Sequence, residues 1–128
     1  MNLEKDKTEL YIKSDRETES FPYFSFRNFS QKDYGLEICE ARDYKALIKT
    51  LCKLSKLPWS EIESSSRDGC GSEIIERGCL DVSIPEEYNG KNVLSFRYSG
   101  QAPMLCIRNE EKLDVLYVDP KFTIYDHS

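Results

Sequence analysis

Four side chains toward the C-terminal end carry the chemistry that cutting a phosphodiester requires: Arg97, Arg108, Tyr125 and His127. A guanidinium grips phosphate oxygens through two parallel N–H bonds, and a tyrosine or histidine moves protons. Arg97 interrupts the apolar run Val93–Tyr98, and Arg108 ends the run Met104–Arg108. Together they form a candidate catalytic set for RNA cleavage, with Arg97 stabilising charge that develops at the scissile phosphate. Tyr125 falls on an expected short strand and is better held than His127, one residue from the end of the sequence. Two arginines on water-facing strands beside a loosely held histidine would give the same pattern without any chemistry.

Lys45, Lys49, Lys53 and Lys56 recur at helical spacing with no acid between them at i+3 or i+4. Like charges at that spacing weaken a helix slightly, so the stripe suggests a use, such as contact with RNA phosphates. A plain solvated helix face is the competing explanation. Trp59, the single tryptophan, follows Pro58 and is expected to pack in the core at a helix start.

Other motifs point away from metals and cofactors. The five cysteines (Cys39, Cys52, Cys70, Cys79 and Cys106) are odd in number and lack CxxC spacing, so reduced structural thiols are expected. One histidine excludes a histidine-rich metal centre. The Gly69-Cys70-Gly71 turn lacks the Lys-Ser/Thr ending of a phosphate-binding loop. No metal and no cofactor are expected.

The net charge of −5 argues against general nucleic-acid binding but hides local contrast. Residues 21–60 carry +3 and residues 61–90 carry −6. The acidic stretch Glu61–Glu87 is a second candidate surface, suited to a basic partner protein. The opening Met1–Asp6 has acids where a leader would be positive, and no run approaches the ~18 apolar residues of a span, so a cytoplasmic protein with no membrane contact is expected.

The elements that must position these groups follow from periodicity. Residues 1–20 read as a polar arm with a short edge strand over Glu9–Lys13, and residues 21–128 as a single domain. Phe21–Phe29 alternates as a strand. Asp43–Lys56 reads as a helix capped by Asp43, with Tyr44, Leu47, Ile48, Leu51 and Leu54 on its inner face. A second short helix begins near Pro58, Arg67–Ser72 is a loop, and Glu73–Leu80 is ambiguous between helix and strand. Val93–Tyr98, Met104–Arg108 and Leu113–Val118 form a meander, with Phe122–Tyr125 adding a short fourth strand. The expected fold is α+β, with N-terminal helices packed on a C-terminal antiparallel β-meander. Its core should join the helix face and Trp59 to Leu94, Phe96, Leu105, Ile107, Val115 and Tyr117.

A helical pair followed by VLSFRYSG, a second strand and LDVLYVDPKFTIYDH resembles the bacterial RelE/ParE toxin superfamily over residues 43–127. The resemblance implies two helices on an antiparallel sheet, ribosome-dependent mRNA cleavage or a gyrase target, and a cognate antitoxin as partner. Arg97 and Arg108 then match the basic strand positions, and Tyr125 or His127 the terminal acid/base. The sequence departs from that pattern at Pro103-Met104-Leu105, where many members have a Tyr-Arg pair, and in its acidic net charge. The segment is also similar to uncharacterised proteins of phages and mobile elements. The first expectation is therefore a RelE-like toxin-type domain acting on mRNA or the ribosome. The alternative is a non-catalytic interaction protein binding another protein through residues 61–87, and a purely structural or regulatory role ranks third.

Overall fold

A computed structural model of the chain describes residues 20–64 and 72–124. The polar arm before Ser20, the strand expected at Glu9–Lys13, most of the Arg67–Ser72 loop, Cys70, Tyr125 and His127 lie outside the described residues.

The helix expected over Asp43–Lys56 runs Ala41–Ser55 (α1). Its cap is Glu40 rather than Asp43. Asp43 sits one turn in, where its Oδ2 accepts the Glu40 backbone N–H at 2.8 Å and satisfies a donor that the helix leaves open. Leu47, Leu51 and Leu54 are buried, at i, i+4 and i+7. Ile48 is 54% exposed and does not belong to the core face. One residue of helix turns about 100°, which carries Ile48 from the leucine stripe toward the lysines. A second helix, Trp59–Ser64 (α2), starts where the Pro58 carbonyl accepts the N–H groups of Glu61 and Ile62 at 3.0 and 3.1 Å.

The strands are Tyr23–Ser25 (β1), Glu73–Ile75 (β2), Val93–Ser99 (β3), Ala102–Asn109 (β4) and Lys112–Val118 (β5). They form one sheet in the order β1-β5-β4-β3-β2. β3, β4 and β5 are the expected meander, and β2 joins it antiparallel to β3. β1 instead pairs parallel to β5, so the sheet is mixed rather than antiparallel throughout. The ambiguous segment Glu73–Leu80 resolves into β2 and a 3₁₀ turn at Arg77–Cys79. No strand forms over 122–124. There Phe122 takes φ +64°, and Asp119 Oδ2 accepts the Ile124 N–H at 2.8 Å, closing a turn.

Both faces of the sheet are covered. On one, α1 and α2 bury Leu47, Leu51, Leu54, Trp59 and Ile62 against Phe96, Tyr98, Met104, Cys106, Leu113, Val115 and Val118. On the other, Tyr88, Leu80, Val82 and Ile84 cover Val93, Leu105, Ile107, Leu116 and Tyr117. Leu105, Ile107 and Tyr117, expected beneath the helices, belong to this second layer. The cover there is an irregular chain segment, for which helical periodicity gives no sign. Burial on both sides also explains why Ala102–Ile107 is a continuous apolar run rather than an alternating one. The register shifts between Leu105 and Cys106, so Leu116 and Tyr117 both reach the second layer.

Among the described residues, no helix is long and apolar enough to cross a membrane. Cys39, Cys52, Cys79 and Cys106 are free thiols. Burial pushes Cys39 up to about 11, with Asp43 adding to the shift, and pushes the fully buried Cys106 up as well.

Candidate functional site

Strand alternation decides where the two arginines go. Leu94, Phe96 and Tyr98 pack on the helix side of β3, which directs Arg97 to the opposite face with Val93. In β4 the helix-side residues are Met104 and Cys106, so Arg108, two further on, shares their face. Arg97 and Arg108 therefore project from opposite sides of the sheet. The described residues do not bring the expected catalytic arginines into one concavity, and Tyr125 and His127 fall outside them. Lys45, Lys49 and Lys53 are exposed on the side of α1 away from Leu47, Leu51 and Leu54, and Lys56, also exposed, is its C-cap.

Arg108 is instead the centre of a different arrangement. Its guanidinium carbon lies 4.1 Å from the centroid of the Trp59 ring. Its Nε donates to the Glu110 carbonyl at 2.7 Å, and its Nη1 pairs with Glu63 Oε1. Trp59 is buried, as expected, and its indole N–H donates to the Glu111 carbonyl at 3.0 Å. Burial lowers the Arg108 pKa while the charge of Glu111 opposes the shift, and the guanidinium stays cationic at neutral pH. The two-residue hairpin between β4 and β5 supplies both carbonyls, with Glu110 at φ +60°.

A cleft of about 480 Å³ opens beside this group. Ile62, Leu94 and Ile74 form apolar walls, and Glu63, Lys91, Asn92 and Arg108 supply the polar groups. A second cleft of about 380 Å³ shares Ile74, Lys91 and Asn92 with it. Ile74 is 62% exposed on β2, and only β3 pairs with β2 among the described residues. Among the described residues, the acids of the segment Glu61–Glu87 are spread over different parts of the sheet. Glu61 and Glu63 lie in the helix layer, Asp81, Glu86 and Glu87 belong to the segment over the other face, and β2 lies between them.

A buried polar group across the sheet went unrecognised in the sequence. Tyr88 Oη donates to Asp114 Oδ2 at 2.6 Å and accepts from Asn28 Nδ2 at 2.7 Å. Lys112 Nζ stands 3.8 Å from Asp114 Oδ1. Burial and the Asp114 hydrogen bond push the Tyr88 hydroxyl up to about 12. Residues 28, 88 and 114 come from three distant segments, so no sequence spacing marks them. This group ties β5 to the covering segment and takes the form of a structural brace.

Among the described residues, no group of three or more His, Cys, Asp or Glu is placed to hold a metal ion. No family model, curated protein or solved structure matches this chain.

Proposed function

We propose that this chain is a non-catalytic interaction protein that binds another protein around the outer edge of β2. The observation that carries this reading is a strand at the edge of the sheet, among the described residues, beside an adjoining cleft. An edge strand offers backbone donors and acceptors to an extended segment, and a neighbouring pocket takes alternate side chains. Ile74 supplies an exposed apolar contact at the centre of that edge. The exposed carboxylate of Glu76, directly after β2, favours a partner with a basic group beside an apolar anchor. A phage or mobile-element setting fits an adaptor of this kind.

A second reading, a RelE-like toxin-type domain acting on mRNA or the ribosome and held by an antitoxin, draws support from the α1 lysines. All four are exposed along or at the end of a helix that packs with α2 on the sheet, in keeping with the N-terminal helices and meander of that superfamily. Such lysines suit RNA phosphates. A catalytic role for Arg97 and Arg108 together needs them on one face, which favours the binding reading.

Two measurements test the proposal. Tagged protein recovered from the cells that make it should retain a protein partner that Ile74→Arg loses and the triple variant of Lys45, Lys49 and Lys53 to alanine keeps. Induced expression in a bacterial host should leave growth unchanged. Growth arrest relieved by Arg97→Ala would put the toxin reading first.

A further inference from the structure

We propose that the cleft beside Trp59 captures the C-terminal end of the partner polypeptide, seating its last, apolar side chain and binding its free carboxylate. The inference rests on the protein-binding reading above and names the feature recognised. The chemistry follows from the lining. Lys91 and Arg108 are the two cations on the cleft, and Asn92 adds amide donors. The Lys91 ammonium has no ion-pair or hydrogen-bond partner among the described residues. Arg108 uses Nε on Glu110 and Nη1 on Glu63, which leaves Nη2 to donate. Among the lining groups two cations face one carboxylate, Glu63, which Arg108 already engages, so the lining itself favours an anion.

The apolar walls choose among anions. Ile62, Leu94 and Ile74 suit an aliphatic side chain, and about 480 Å³ lies within the ~300–1,000 Å³ of ordinary ligand pockets. Trp59 offers no stacking surface to a nucleobase. The ring is 3% exposed, and the Arg108 guanidinium stands over it. A carboxylate attached to an apolar residue therefore fits better than a nucleotide. The main chain of the same peptide would enter along the outer side of β2, which pairs only with β3 among the described residues.

The test uses the full chain and a pool of random heptapeptides with free C-termini, beside the same pool amidated. Binding is followed by the fluorescence of the single tryptophan and by amide chemical shifts. Free-carboxylate peptides ending in Val, Leu or Ile should be enriched, and amidation should weaken them about tenfold or more. Lys91→Ala should do the same with an unchanged melting temperature. Arg108→Gln, which also alters the Trp59 contact, serves as a second variant. Equal binding of amidated peptides at β2 overturns carboxylate capture and leaves the protein-binding reading standing. Failure of both pools to bind, or displacement from the cleft by an RNA oligonucleotide alone, overturns the inference. A partner lost on Ile74→Arg would still uphold the broader reading. Hexanoate binding as tightly as the peptides would overturn it in favour of a small-acid site.

Discussion

The guanidinium of Arg108 lies over the ring of Trp59, 4.1 Å from its centroid, and both line the cleft. A cation over an indole face stabilises by roughly 0.5–1 kcal/mol when partly exposed. Arg108→Ala should therefore cost about 1 kcal/mol in denaturant unfolding and shift the tryptophan emission to the red. Arg108→Lys should recover little of this, because an ammonium lacks the planar stacking surface. Wild-type emission in both variants would show that the stack does not persist in solution.

The two core layers predict two equal penalties. Leu51→Ala empties a site beneath α1, and Leu105→Ala empties one on the opposite face of the sheet. Each should cost about 2–5 kcal/mol through lost burial and an unfilled cavity. Ile48→Ala, at an exposed position, should change the denaturation midpoint little. A large effect at Ile48 would mean that α1 is rotated.

Alkaline pH should loosen the fold through Tyr88. Its folded pKa is about 12, against an ordinary 10.0, so the neutral phenol is favoured in the native state. The resulting stability is fully present below pH 10 and is lost as pH rises toward 12. Tyr88→Phe should cost about 1–3 kcal/mol at neutral pH by removing a donor from the buried Asp114 carboxylate. It should also flatten the decline above pH 10, as measured by urea midpoints across that range. An equally steep decline in Tyr88→Phe would assign the effect to other groups.

Strain at the β4–β5 hairpin gives a stabilising substitution. Glu110 adopts φ +60°, a conformation that side chains with a Cβ disfavour. Glu110→Gly should raise stability by about 0.5–1 kcal/mol, because the contact to Arg108 uses only the backbone carbonyl of Glu110. A lower thermal midpoint would show that the Glu110 side chain contributes more than the turn costs.

The elements carried by local periodicity were legible in the sequence. Leu47, Leu51 and Leu54 mark α1, and the three meander strands appear within a residue or two of their ends. Long-range pairing was not legible. Nothing local tells Tyr23–Ser25 to lie parallel to β5, or Leu80, Val82, Ile84 and Tyr88 to form a second core layer. Ile48 was misplaced because an isoleucine beside a leucine stripe looks apolar whichever way it turns. Of the site, the sequence marked Arg108 and Trp59 but not their contact. Lys91 and Ile74 were missed because a single lysine before a strand and one isoleucine in a short edge carry no spacing signature. The separation of Arg97 from Arg108 across the sheet comes from the register of β3 against β4, which no local spacing gives.

Ile74 and Ile48 are both exposed isoleucines, one at the cleft and one beside the α1 lysines, which permits a direct comparison. A photo-crosslinking amino acid placed at each position in the cells that make the protein would record what touches each surface. The protein-binding account predicts a discrete protein adduct from position 74 and none from position 48. RNA adducts from position 48, with no protein adduct from position 74, would contradict it.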